Sequence, residues 1–291
     1  MSDQTTTDQK ICLITGATSG IGEVAALALA KQGFQVGIVG RNPSKCEATA
    51  SKIKKEAATP LVDVFVADLA SQADVRRLAD EVKAKYPRLD VLLNNAGAMI
   101  APRRESGDGI EQTWALNHLA YFLLTDLLLD LLNSTPGARV VSVASDAHRM
   151  TGGINFDDVE GKESYRPFQA YCQSKLANVL FTRELARRLK ESGSTVTANC
   201  VHPGFVQTNF MAGEGTMHRV FRLMSRVMAI SPEKGAATSV YLASSPKVAG
   251  VSGEYFTKCR ATKPNAAARD DQAARRLWTL SETMTAQSAQ V

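Results

Sequence analysis

Short apolar runs alternate along the chain with longer stretches in which apolar residues recur at helical spacing. Residues 11–15 form the first run, followed by a glycine-rich turn. Residues 21–32 then show helical spacing and strong helix formers. Runs at 34–39, 61–66, 91–93, 139–143 and 195–201 predict further strands. Segments 44–58, 74–86, 109–133 and 170–191 predict the helices between them. Short apolar strands separated by helices are the pattern of a parallel sheet covered on both faces. The expectation is a single α/β domain over residues 11–280, doubly wound, with no internal boundary. The polar ends, residues 1–10 and 281–291, are expected to be flexible tails.

Composition narrows the classes. The chain has 291 residues, 44% hydrophobic and 22% charged, enough to bury a core and too apolar for a disordered chain. A formal net charge of +5 is mild and excludes a nucleic-acid binder on charge grounds. The cysteines, Cys12, Cys46, Cys172, Cys200 and Cys259, are odd in number and form no C-x-x-C pair, which predicts free thiols in a reducing compartment. His118, His148, His202 and His218 have no metal-ligand spacing, so no metal is expected. No apolar stretch approaches the roughly 20 residues of a membrane span, and residues 1–10 lack a signal-peptide core. These features predict a cytoplasmic location.

The turn after the first run reads Thr15-Gly16-Ala17-Thr18-Ser19-Gly20-Ile21-Gly22. A glycine-rich turn between strand and helix lets a pyrophosphate approach the backbone, and the helix N-terminus favours its charge. The expected architecture is therefore of the Rossmann type. The second run ends in Gly40-Arg41-Asn42, where an acidic residue would bind an adenosine ribose. Arg41 instead suits a 2′-phosphate, with Lys45 adding charge, so NADP(H) is expected rather than NAD(H). Asp68, past the third run, is placed either to touch the adenine or to cap a helix.

Tyr171 and Lys175 are four residues apart and share one face of a predicted helix. A free phenol, with a pKa of about 10, is a poor acid or base near neutrality. A nearby ammonium is expected to lower it. Tyr171 would then exchange a proton with a carbonyl/alcohol pair. Ser145, after the fifth run, would hydrogen-bond the substrate oxygen as charge develops.

Gly16-x-x-x-Gly20-Ile21-Gly22, Asn94-Asn95-Ala96-Gly97, Asn117, Ser145, Tyr171-x-x-x-Lys175 and Pro203-Gly204 occur in that order. Together they resemble the short-chain dehydrogenase/reductase family over about residues 11–260. The segments 141–148, 171–178, 231–236 and 250–256 further resemble its retinol dehydrogenase-like branch, as does the long separation of Ser145 from Tyr171. The resemblance implies a hydride transfer between nicotinamide and an apolar aldehyde, ketone or alcohol. It implies a catalytic set of Asn117, Ser145, Tyr171 and Lys175, with Asn117 in a water-linked proton relay. It implies cofactor contacts from Gly16, Thr18, Ser19, Gly20, Ile21, Gly22, Arg41, Asn42, Lys45, Asp68, Leu69, Asn95, Ala96, Gly97, Tyr171, Lys175, Pro203, Gly204, Val206 and Thr208. Substrate contacts are expected from Ser145, Tyr171, Phe205, Phe210 and Met211.

Residues 205–230 are expected to form an apolar substrate lid. A basic amphipathic helix at 217–230 would cover the core or rest on a membrane surface. Membrane-bound members of the branch carry an apolar N-terminal anchor, whereas residues 1–10 here are polar. Homo-oligomerisation is implied by the resemblance. A cofactor-sensing protein on the same fold is the alternative, since a fold does not establish activity. A sugar-nucleotide epimerase fits less well, because Ser19 breaks its usual glycine spacing.

Overall fold

The computed structural model describes residues 9–59, 61–204, 231–286 and, as backbone, 211–212. β1 (Ile11–Thr15), α1 (Gly20–Lys31), β2 (Gln35–Gly40), α2 (Pro43–Ala57), β3 (Val62–Val66), α3 (Gln72–Lys85) and β4 (Val91–Asn94) form the first half. A short strand, β5 (Met99–Ile100), follows. Then come α4 (Gln112–Trp114), a π-helical turn (Ala115–Leu119), α5 (Ala120–Leu127) and α6 (Leu129–Asn133). β6 (Arg139–Val143), a 3-10 helix (Asp146–Met150), α7 (Pro167–Glu191) and β7 (Thr197–His202) carry most of the site. β8 (Met211–Ala212), α8 (Pro232–Ser244), β9 (Tyr255–Thr257), β10 (Arg260–Ala261) and α9 (Asp271–Ala286) complete the described chain.

Helix starts have local causes. Pro43 occupies the first turn of α2, where its missing N–H has no helical partner to lose. Asn42 Oδ1 caps the same helix by accepting from Lys45 N at 2.9 Å. Ser71 caps α3, accepting from Asp74 N at 3.3 Å. Pro167 starts α7 earlier than the hydrophobic spacing predicts.

The main sheet runs β10-β9-β7-β6-β4-β1-β2-β3. Every neighbouring pair is parallel except β9 and β10. The chain winds outward from β1 to β3, then returns to place β4 on the other side of β1. The strand order therefore reverses between β1 and β4, and a crevice opens there at the carboxyl ends of the strands. One face of the sheet packs with Leu78, Val82, Phe122, Leu124 and Phe181. The other packs with Ala26, Leu29, Ile53, Ala236 and Leu242. The parallel, doubly wound α/β architecture matches the expectation. β5 and β8 pair as a separate two-stranded ribbon.

Three expectations are corrected. The helix expected over 109–133 is broken into α4, the π turn, α5 and α6. Glu111 caps Thr113 N and Trp114 N, and the side chain of Asn117 is drawn to the loop after β4. Second, α9 continues to Ala286, so residues 281–286 are not a tail. Ser281 is fully buried against His118 Nε2 at 2.8 Å, and Thr285 O accepts from Arg76 at 2.7 Å. Third, residues 9 and 10 are fastened to the domain: Gln35 N donates to Lys10 O at 2.9 Å and Gln9 to Gly33 O.

Candidate functional site

The turn after β1 is knitted to the turn after β4. Thr15 Oγ1 accepts from Asn95 N at 2.8 Å and Ala96 N at 3.0 Å. Asn95 Nδ2 donates to Thr15 O at 2.8 Å and Gly16 O at 3.3 Å. Gly22 completes the joint: a Cβ there would lie 2.3 Å from Gly16 O and 2.5 Å from Asn95 Nδ2. Sequence reasoning expected Asn95 to contact a cofactor; the structure turns its side chain inward as a brace.

Ser19 is extended and exposed, and its hydroxyl makes no capping bond at the amino end of α1. That end concentrates donor N–H groups and positive dipole charge. Arg41 and Lys45 are exposed at the end of β2 and the start of α2. Neither forms an ion pair or side-chain hydrogen bond with another described residue. Asn42 Oδ1 is committed to its helix cap. Asp68 Oδ1 accepts from Ala70 N at 3.0 Å, folding the turn into α3, while Leu69 is buried. A helix N-terminus on a glycine turn beside two uncommitted cations fits a phosphorylated dinucleotide.

The reacting side of the crevice lies at the ends of β4 and β6. Ser145 follows β6 and caps the 3-10 helix, its Oγ accepting from Ala147 N at 3.2 Å. Tyr171 and Lys175, one turn apart on α7, are 8% and 3% exposed. Ser145 lies close enough to Tyr171 for its side chain to favour the ionised phenol. Lys175 Nζ donates to Val143 O at 3.0 Å and lies 5.7 Å from the centre of the Tyr171 ring. A Cβ on Gly97 would come within 3.2 Å of Lys175 Nζ and 3.1 Å of Asn117 Oδ1, so a side chain here would crowd both.

Asn117 sits in the π turn and is fully buried. Its Oδ1 accepts from Ala98 N at 2.9 Å, and its Nδ2 donates to Ala98 O and Ser174 Oγ, each at 2.9 Å. The side chain is thus a clamp between the β4 loop and α7.

Burial dominates the electrostatics. It pushes the Tyr171 phenol above its ordinary range, while the Ser145 side chain acts the other way. The expected lowering of Tyr171 by the ammonium is corrected: burial also destabilises that ammonium and brings Lys175 down to about 7. Lys175 is therefore not a fixed positive charge beside the phenol at neutral pH. Cys172 is buried, and burial raises its thiol to about 11, in keeping with a packing role.

Pro203 and Gly204 follow β7 directly and stand half-buried. Phe205, Val206, Thr208, Phe210 and the 217–230 segment lie outside the described residues. Met211 is placed only through the backbone pairing of β8 with β5. Sequence reasoning missed Val143, whose carbonyl receives both Lys175 Nζ and, at 3.3 Å, Asn178 Nδ2. It also missed Asp146, although its position next to Ser145 was a signal. Met150 and Phe168 are exposed, at 64% and 49%. Their neighbours in sequence, Thr151 and Gln169, are joined by a hydrogen bond of 3.1 Å, which brings the two segments together.

Comparison with known proteins agrees with this geometry. The family model for short chain dehydrogenases matches residues 10–218. Human retinol dehydrogenase 14 is 42% identical, covering 94% of this chain and 86% of that protein. Human polyprenol dehydrogenase is 41% identical, covering 95% and 85%. Among solved structures, an uncharacterised protein from Mycobacterium paratuberculosis aligns at a TM-score of 0.75 and 36% identity, covering 95% and 93%. A short chain dehydrogenase from Escherichia coli CFT073, complexed with NADPH, aligns at 0.66 and 25% identity, covering 86% and 97%. The expected cytoplasmic location does not stand: the relatives that the chain resembles, named as retinol and polyprenol dehydrogenases, give it no support. Among the described residues, no helix is long and apolar enough to cross a membrane.

Proposed function

The chain belongs to the short-chain dehydrogenase family, and within it we propose an NADP(H)-dependent oxidoreductase that interconverts an apolar alcohol with its aldehyde or ketone. The observation that carries this reading is the buried Tyr171, with Ser145 beside it and Lys175 Nζ 5.7 Å from its ring centre, at the carboxyl end of the sheet. When bound, the nicotinamide supplies or accepts the hydride.

The protein's own residues do the remainder. In the reducing direction the Tyr171 hydroxyl gives its proton to the substrate oxygen, and Ser145 donates a hydrogen bond to that oxygen as negative charge grows. In its protonated form, populated near and below pH 7, Lys175 offsets the charge left on the Tyr171 oxygen. Burial of Tyr171 excludes water from the exchange. In the oxidising direction Tyr171 takes the proton back. Asn117 holds the β4 loop against α7, and so keeps Gly97 against Lys175.

The preference for NADP(H) rests on Arg41 and Lys45, which stand where an acidic residue would select the unphosphorylated ribose. The amino end of α1 would hold the pyrophosphate. The substrate class draws support from relatives named for retinol and polyprenol, both apolar chains ending in an alcohol. The exposed apolar side chains of Met150 and Phe168, on the segments that carry Ser145 and Tyr171, suit such a chain. Oxidation of NADPH and of NADH is to be followed with a panel of aldehydes and ketones, retinal among them. The reading expects turnover with NADPH, ranked upward with apolar chain length. Faster turnover of small polar ketones, or equal use of NADH, contradicts it.

A further inference from the structure

His202 and Asp146 meet twice. The Asp146 backbone N–H donates to His202 Nδ1 at 3.2 Å, and His202 Nε2 lies 3.3 Å from Asp146 Oδ2. A backbone N–H can only donate, so Nδ1 must accept, and the neutral ring carries its proton on Nε2. The carboxylate lies close to that nitrogen. The other carboxylate oxygen, Oδ1, accepts from the Tyr255 hydroxyl at 2.9 Å and from Arg149 Nε at 3.0 Å. One carboxylate therefore ties together the ends of β6, β7 and β9.

The position of this tie matters. Asp146 follows Ser145, and His202 precedes Pro203-Gly204. The Ser145 carbonyl is held from the other side by His148, through its backbone N at 3.0 Å and its Nδ1 at 2.7 Å. The backbone on both sides of Ser145 is thus fixed by hydrogen bonds, one set of which depends on the protonation of a ring. We infer that His202, in its neutral Nε2–H form, is a positioning residue for Ser145: through Asp146 it holds the Ser145 backbone against the end of β7, and with it the Ser145 hydroxyl at Tyr171. This rests on the reading of Ser145 and Tyr171 as the reacting pair.

The couple is sensitive to acid. Among the described residues, the charged and titratable groups around His202 are Asp146, His148 and Arg149 on the 3-10 helix, and Tyr255 on β9, which shares the Asp146 carboxylate. Burial lowers the ring's proton affinity, Asp146 raises it and Arg149 lowers it again, leaving His202 below the ordinary histidine range. A proton on Nδ1 would oppose the Asp146 N–H and break the bond that holds the loop. Ser145 then loses its support as pH falls through the His202 titration, although the imidazolium still faces the carboxylate.

His202→Gln retains an acceptor and a donor but does not titrate, whereas His202→Leu has neither. Turnover as a function of pH is expected to show an acid limb in the wild type that is absent from His202→Gln. The Gln variant should keep kcat within about threefold, and the Leu variant should lose about 10- to 100-fold in kcat with KM for the carbonyl substrate little changed. An unchanged acid limb in His202→Gln, or wild-type kcat in His202→Leu, overturns the inference. Nitrogen-15 NMR of the protein without substrate provides a second readout. The expected result is an Nε2–H tautomer and an Asp146 amide signal that moves with the His202 titration. An Nδ1–H tautomer, or an Asp146 amide indifferent to that titration, overturns it. If the wild type turns over no carbonyl while the NMR signature is present, the failure belongs to the proposed activity and not to the couple.

Discussion

Lys175 reaches from α7 to the last residue of β6, where its Nζ donates to the Val143 carbonyl oxygen at 3.0 Å. The contact fixes the lysine beside Tyr171 while leaving it almost wholly out of water. Burial, with no carboxylate partner among the described residues, brings its pKa from the ordinary 10.5 down to about 7.

That displacement has a sign. Between about pH 7 and pH 10 the unfolded chain binds the Lys175 proton and the folded chain does not, so this lysine makes stability rise with pH across that window. Below it the folded state carries a buried ammonium. Lys175→Met should remove the rise, reducing the stability gained between those limits by at least about 1.4 kcal/mol. Urea unfolding of both proteins across the window checks this. Parallel stability curves would contradict it.

Gly22 should tolerate no side chain. An added Cβ would lie 2.3 Å from Gly16 O and 2.5 Å from Asn95 Nδ2, both parts of the joint between the β1 and β4 turns. Gly22→Ala is expected to cost about 1–3 kcal/mol and to weaken NADPH binding. Gly152→Ala is the control, because nothing lies within 4 Å of its added Cβ. Denaturant midpoints and a fluorescence titration with NADPH separate the two. Equal, small effects would mean that the turn is not constrained in this way.

Arg41 carries the cofactor preference. Arg41→Ala should raise KM for NADPH by about 10- to 100-fold, the worth of a hydrogen bond to a charged group, and leave KM for NADH nearly unchanged. Equal effects on the two cofactors would remove the argument from a 2′-phosphate.

The end of α9 is structural. Ser281 joins Leu277 O to His118 Nε2, at 2.8 Å each. Burial lowers His118 to about 3, so the ring is neutral at ordinary pH and the protein loses stability as pH falls from about 6.5 toward that value. Ser281→Ala should cost about 1–2 kcal/mol. Ending the chain after residue 280 should cost more, since the contacts made by Gln72 and Arg76 to Met284 and Thr285 go with it. An unchanged melting temperature after truncation would restore the reading of a loose tail.

The parts of the molecule legible in the sequence are those set by short-range spacing. The strand–glycine turn–helix of residues 11–31 and the Tyr171/Lys175 spacing each follow from a local period, and both stand as expected. The π turn was not legible. Its residues keep apolar helical spacing, and the shift in register comes from Asn117 being drawn to Ala98, nineteen positions away. The tail was misread because Ser281 and Thr285 are polar. Their hydroxyls donate to carbonyls within the same helix, Leu277 O and Ser281 O, and this lets them be buried. The His202–Asp146 couple joins residues fifty-six positions apart, which only the pairing of β6 with β7 brings together.

The central claim is that Tyr171 moves the proton in an NADP(H)-dependent carbonyl/alcohol exchange. Tyr171→Phe removes one oxygen and leaves the ring in place. The decisive measurement is single-turnover NADPH oxidation with a long-chain apolar aldehyde by the wild type and by this variant, each shown to bind NADPH in the same preparation. The account predicts unchanged NADPH binding and a rate reduced by at least about 100-fold, the lower range of general acid–base catalysis. A variant that turns over at the wild-type rate would contradict it.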